Sequence, residues 1–143
     1  MATTRTANAH WEGSLMEGNG SVELASSQIG SYPVNWPARA EAANGTTSPE
    51  ELIAAAHATC YSMALSHGLA QAGTPPTSVD TSADVTFQPG TGITGIVLKV
   101  KAAIPGLSAD DFAAAAKDAK ENCPVSQALA GVEIGLEAEL LGS

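Results

Sequence analysis

Basic residues are scarce in this chain. Six lysines and arginines stand against 15 aspartates and glutamates, a formal net charge of −9, and a surface of that sign repels polyanions, which excludes nucleic acid as a partner. Aromatic residues are few as well, two each of Phe, Trp and Tyr. A core must then come from small side chains, and 27 alanines supply it. Thin alanine helices approach closely but bury little area each, so a 143-residue chain of this kind is only modestly stabilised alone and is expected to cover apolar surface with a second subunit. Long hydrophobic runs are missing: the least polar stretch, 52–69, is broken by His57, Thr59, Ser62, Ser66 and His67, so no membrane span is expected. The first residues carry no basic segment followed by an apolar run, so no secretory signal is read and a cytoplasmic location is expected. Cys60 and Cys123 are the only cysteines. They form neither a disulfide-rich scaffold nor a CxxC motif, and in a reducing compartment a lasting structural bridge is not expected. No GxSxG elbow and no P-loop occurs, which leaves serine hydrolysis and nucleotide hydrolysis without local support.

What is present reads as one α+β domain over 1–143. Segments 3–11 and 21–25 flank a turn-rich stretch with Gly13, Gly18, Asn19 and Gly20, which predicts an N-terminal hairpin. Segment 30–47, with Pro33, Pro37, Asn44 and Gly45, has no clean period and reads as a long loop or broken strand. Ser48-Pro49-Glu50-Glu51 is a helix start with a capping serine, a proline at the first helical position and a capping-box acid. Gly73 and Thr74-Pro75-Pro76 end that helix near residue 72. Its residues are apolar or small on almost every face from 52 to 69, which predicts a central helix buried all round. Alternation through Val79, Thr81, Ala83, Val85 and Phe87 predicts a strand, joined by Gln88-Pro89-Gly90-Thr91-Gly92 to a second strand over 93–103. Ser108 opens a second helix over 109–121, Pro124 allows a short further helix, and Val132, Ile134, Leu136, Ala138 and Leu140 alternate with glutamates as a last strand. The resulting order is ββ-α-ββ-α-β.

Three motifs lead nowhere. The run 90–95 matches GxGxxG but precedes a strand, where no helix N-terminus can hold a pyrophosphate. Asn19-Gly20-Ser21 and Asn44-Gly45-Thr46 fit the glycosylation pattern and are read as turns. The cysteines remain. A free cysteine is usually a small buried hydrophobe, yet Cys123 sits at an element junction and Cys60 is flanked by polar His57 and Thr59. A reactive thiol needs a lowered pKa, and Cys60 lies too far from its helix start for the dipole to provide it. A cation is required, and the chain offers two arginines, Arg5 and Arg39, and four lysines. Arg39 precedes the helix that carries Glu50, and a guanidinium held in a carboxylate fork is both fixed in place and always charged.

The stretch Ser48-Pro49-Glu50-Glu51-Leu52-Ile53-Ala54-Ala55-Ala56-His57-Ala58-Thr59-Cys60-Tyr61-Ser62-Met63-Ala64-Leu65, with Asn122-Cys123-Pro124-Val125-Ser126-Gln127 downstream, closely resembles the OsmC/Ohr family of peroxidases. His10-Trp11-Glu12-Gly13 and the run 76–85 extend the resemblance to the OsmC branch over nearly the whole chain. It implies an intertwined homodimer with two long helices at the centre, strands wrapped around them, and two active sites at the subunit interface. It also implies roles: Cys60 as the peroxidatic cysteine, Cys123 as the resolving cysteine, Glu50 as the carboxylate that holds an arginine over the thiolate, and Arg39 as that arginine, with Arg5 the fallback.

The implied chemistry is reduction of a hydroperoxide, organic in preference to hydrogen peroxide, through a Cys60 sulfenic acid and a Cys60–Cys123 disulfide that an external dithiol, such as a lipoyl group, reopens. No metal or organic cofactor is needed. Met63 and Leu69 are candidates for lining the substrate pocket, and Lys99 and Lys101 for a basic patch that receives the reductant. Rival readings are a metal site built on His57 and Cys60 with Cys123, His10 or His67, a non-catalytic stress-related binding protein, and a hydrolase using Cys60 with His57 as base.

Overall fold

Ser48 accepts the backbone N–H of Glu51 at 3.2 Å and starts the longest helix, α2, Pro49–Gln71. The capping box is only half formed, because the Glu51 carboxylate accepts from the Thr47 hydroxyl instead of returning to the Ser48 backbone. At the far end Gly73 adopts φ +86° and the Thr74 N–H bonds the Leu69 carbonyl at 2.9 Å, the left-handed stop that glycine permits. The computed structural model describes residues 1–142, and contacts divide the chain into two units, Met1–Leu52 and the remainder from Ile53.

In the first unit β1 (Asn8–Glu12), β2 (Asn19–Glu23) and β3 (Ser31–Val34) form an antiparallel sheet in that order. The hairpin agrees with the expectation, with Asn19 and Gly20 opening β2 rather than lying in the turn. The segment read as a loop or broken strand holds β3 and a five-residue helix, α1 (Trp36–Ala40). Neither is long enough to show a period. Pro33 is tolerated because β3 is the outer strand, and α1 starts because Asn35 Oδ1 accepts the Ala38 N–H at 2.8 Å and Pro37 follows the cap.

In the second unit β4 (Ser78–Gln88) and β5 (Gly92–Ala103) make an antiparallel hairpin. Its turn is set by Pro89 and by Gly90 at φ +85°, with the Thr91 N–H on the Gln88 carbonyl at 3.0 Å. The chain crosses over through α3 (Ala109–Asn122) and α4 (Pro124–Ala128) to β6 (Ile134–Leu140), which pairs parallel with β5. Ser108 caps α3 through the Asp111 N–H at 3.1 Å. The core joins Tyr61, Leu65 and Leu69 of α2 to Leu98, Val100 and Ala102 of β5 and to Phe112, Ala116 and Ala119 of α3. The four-residue spacing puts Tyr61, Leu65 and Leu69 on one face of α2, and the Tyr61 hydroxyl reaches across to donate to the Ala116 carbonyl of α3 at 2.9 Å.

The α+β class and its predicted elements are therefore present, with β3 and α1 in addition. One expectation fails for the single chain: α2 is not buried all round. Ala55, Ala56, Thr59 and Met63 are exposed, Met63 at 68%.

Candidate active site

In the first unit Arg39, in the last turn of α1, grips Glu50, in the first turn of α2. Its Nε donates to both carboxylate oxygens at 3.1 Å and its Nη2 donates to Oε2 at 3.0 Å. This is the fork expected from the sequence, and Glu50, 7% exposed, is buried within it. Partly exposed Arg39 also borders a cavity of about 470 Å³ whose walls include Trp11, Leu15, Val22, Trp36 and Leu52. Arg5 is exposed and donates to the Thr4 carbonyl, so the clamped arginine is Arg39.

In the second unit Cys60 of α2 and Cys123, at the junction of α3 and α4, are both free thiols, and Cys60 packs against the buried cluster that contains Cys123. Helical spacing explains the meeting. His57, Cys60 and Tyr61 share a face of α2, and Cys123 and Ser126 are likewise three apart at the start of α4. His57 therefore meets Ser126, Nε2 to Oγ at 2.7 Å. His57 is fully buried and its Nδ1 has no hydrogen-bond partner. Burial lowers its pKa and keeps the ring neutral.

The two thiols shift in opposite directions. Burial raises Cys60, the Val125 N–H opposes it, and the Cys123 thiol adds to the rise; no cation is among these groups. Burial also opposes ionisation of Cys123, but the Ser126 N–H, the Cys60 thiol, the Ser126 hydroxyl and the Val125 N–H together outweigh it and lower its pKa. Tyr61 is raised by burial and by Cys123 and stays a phenol.

Sequence reasoning missed Ser126. Its signal was present in Cys123-Pro124-Val125-Ser126, where a proline-started helix turns the third residue back toward the cysteine. Leu69 is core and Met63 is exposed, and neither lines the cavity beside Arg39. The basic patch is corrected. Strand register sets Lys99 and Lys101 beside Glu137 and Glu139, Lys99 pairs with Asp84 at 3.0 Å, and Lys101 lies 3.8 Å from Glu139. No cluster of three or more His, Cys, Asp or Glu able to hold a metal occurs among the described residues, and His57 is committed to Ser126, away from the base role of a hydrolase.

Comparison with known proteins adds that the family described as OsmC-like protein matches residues 42–137. The chain belongs to the OsmC family. Peroxiredoxin OsmC of Escherichia coli strain K12 is 45% identical over 143 residues, covering 98% of this chain and 99% of the relative. Among solved structures, an organic hydroperoxide resistance protein OsmC from Legionella pneumophila superposes with a TM-score of 0.72 at 26% identity, covering 96% of this chain and 99% of that one. An OsmC-like protein from Mycoplasma pneumoniae reaches 0.75 at 13% identity over 99% of this chain and 100% of the other, a likeness of fold. The α+β arrangement of two three-stranded sheets and a long helix is thus an OsmC fold.

Proposed function

We propose that this chain, a thiol-dependent peroxidase of the OsmC family, works through Cys60 and Cys123. The observation that carries the assignment of residues is that the only two cysteines, one on the long helix and one at a helix junction, come together at one buried cluster. The Cys60 thiolate attacks one oxygen of a hydroperoxide, the O–O bond breaks, and an alcohol leaves after protonation while Cys60 becomes a sulfenic acid. Cys123 displaces the hydroxyl as water and forms a disulfide. An external dithiol reopens it by exchange and is itself oxidised. Within its own unit Cys60 is raised rather than lowered, so ionisation needs a cation, and the clamped Arg39 is our candidate. Arg39 also stabilises the charge that develops on the leaving oxygen, and Glu50 keeps the guanidinium oriented. The apolar walls beside Arg39 suit an alkyl group, which favours organic hydroperoxides over hydrogen peroxide.

We further propose a homodimer, since the exposed face of α2 with Met63, Ala55 and Ala56 is apolar and small-residue enough to seat a second copy. No helix among the described residues is long and apolar enough to cross a membrane; a reducing compartment suits the cycle, and we assign the cytoplasm.

The decisive experiment is the intact mass and free-thiol count of reduced protein after one equivalent of tert-butyl hydroperoxide or hydrogen peroxide. Loss of both thiols as an intramolecular disulfide, with a sulfenic acid trapped in Cys123→Ser, is the expected result. Thiols that persist through excess peroxide refute the assignment.

A further inference from the structure

We infer that His57 and Tyr61 of α2 bolt down the α3–α4 junction from both sides of Cys123, so that the disulfide closes fast once Cys60 is oxidised. The inference rests on the proposed roles of Cys60 and Cys123 and adds three positioning residues to them, His57, Tyr61 and Ser126.

Cys123 stands where the chain breaks between two helices. Its φ of −59° and ψ of 123° are extended, the conformation into which a residue before proline is driven, and no side chain caps α4. A helix of five residues has little stability of its own, because its costly nucleus is followed by few further bonds. The position of Cys123 therefore depends on what holds the two arms of the junction from outside.

Two buried hydrogen bonds from one face of α2 hold them. The Tyr61 hydroxyl donates to the Ala116 carbonyl of α3 at 2.9 Å, and His57 Nε2 lies 2.7 Å from Ser126 Oγ of α4. His57 and Tyr61 are one turn apart with Cys60 on the same face, while Ala116 and Ser126 lie on either side of Cys123 along the chain. Each arm thus has its own bolt. His57 and Tyr61 are fully buried and Ser126 is 6% exposed, so water does not replace either bond. Among the described residues the His57–Ser126 contact is the one side-chain hydrogen bond between α4 and α2; the other from α4, Gln127 to the Glu121 carbonyl at 3.5 Å, runs back to α3.

Packing alone does not account for a histidine at position 57. Its Nδ1 is buried without a partner, a penalty that an apolar side chain of similar size would avoid. A bare lone pair is the cheaper orphan, so the ring proton sits on Nε2 and is donated to Ser126 Oγ.

In the step this serves, Cys123 attacks the sulfenic sulfur of Cys60. The S–S bond forms, the S–O bond breaks, and hydroxide leaves as water with the proton given up by the Cys123 thiol. Such a step is fast when the reacting atoms are held near attack geometry, and a misplacement of about 1 Å can cost about 100-fold. Cys60 needs no bolt, being in the middle of a 23-residue helix.

The test is rapid mixing of the full chain with tert-butyl hydroperoxide, following sulfenic acid formation and disulfide closure separately. His57→Leu and Ser126→Ala are each expected to form sulfenic acid within about twofold of the wild-type rate and to close the disulfide about tenfold more slowly. The double variant should be no slower than either single one, because both cut the same bond. Tyr61→Phe keeps the ring and should slow closure by about threefold. His57→Gln keeps an N–H donor and should restore closure. Equilibration with reduced and oxidised glutathione, in which two protein thiols become one disulfide as oxidised glutathione is reduced, should show the Cys60–Cys123 bond about tenfold less favoured in Ser126→Ala. Should His57→Leu fail to fold, Ser126→Ala and Tyr61→Phe carry the test. Unchanged closure in the variants that fold, equal slowing of both steps, or no rescue by His57→Gln overturns the inference. If wild-type Cys60 is not oxidised by peroxide, the peroxidase cycle fails separately, and the glutathione equilibrium still decides whether the bolts bring the two cysteines together.

Discussion

Both units carry a three-stranded sheet, yet no residue of β1, β2 or β3 is buried while β5 alone buries Ile96, Leu98, Val100 and Ala102. The second sheet has α3 and the Tyr61 face of α2 to pack on, supplied by its own chain. The first sheet has strands of only four and five residues, none of them buried. The chemical parts divide the same way: the thiols belong to the densely packed unit, and the guanidinium clamp belongs to the sparsely packed one. A packed core holds the two cysteines, whereas Arg39 is held by the buried carboxylate of Glu50.

The largest expected effect sharpens that division. Cys60→Ser should abolish peroxide turnover, while Arg39→Ala should lower kcat/KM by about 100- to 1,000-fold, the range for removing one preorganised charge-stabilising donor. Arg39→Lys should not rescue it, because an ammonium cannot form the fork on Glu50. Equal losses at Cys60 and Arg39 would break the distinction between nucleophile and electrostatic support.

Stability should divide next. Leu98→Ala removes a fully buried side chain and should cost about 2–5 kcal/mol by denaturant titration. Val22→Ala, in the half-buried middle of β2, should cost about 1 kcal/mol. Met63→Glu should leave either core intact and convert a dimer to a monomer by sedimentation. A dimer that survives it would move the second copy to another face.

A smaller effect comes from His57. Burial holds its folded-state pKa below the ordinary 6.5, so under mildly acidic conditions the unfolded chain binds a proton that the folded chain refuses. This contribution to stability is complete above about pH 6.5 and is lost as pH falls through the window below it. His57→Gln should flatten that acid-side slope in urea midpoints, and an unchanged slope would assign it to other groups. The smallest effect is expected at the surface pair Asp84–Lys99, both half-exposed; Asp84→Asn should leave Tm unchanged within error, and a measurable drop would mean that β4 and β5 depend on it.

Much of this arrangement was legible in the sequence because long elements carry long patterns. The α2 start at Ser48, the alternation of β4 and the proline-glycine turn before β5 each combine a period with a local stop or start. β3 and α1 were not legible, since four and five residues cannot display a period and Pro33 and Pro37 both argue locally for a loop. The parallel pairing of β6 was equally invisible, being a choice of partner rather than a property of the strand. At the site, residue types gave the cysteines and the Arg39–Glu50 fork. The His57–Ser126 bond was hidden because it joins positions 69 apart, which only tertiary structure brings together.

The crossover that carries Cys123 between β5 and β6 has a consequence for the redox states of the protein. Joining Cys60 to Cys123 closes a ring spanning more than 60 residues, including the whole of β4, β5 and α3. In the chain-entropy account, such a ring disfavours the unfolded ensemble by about 4 kcal/mol. Catalysis would then alternate between a looser reduced form and a tighter oxidised one, and the melting temperature of the resting protein would report the supply of reductant in the compartment around it.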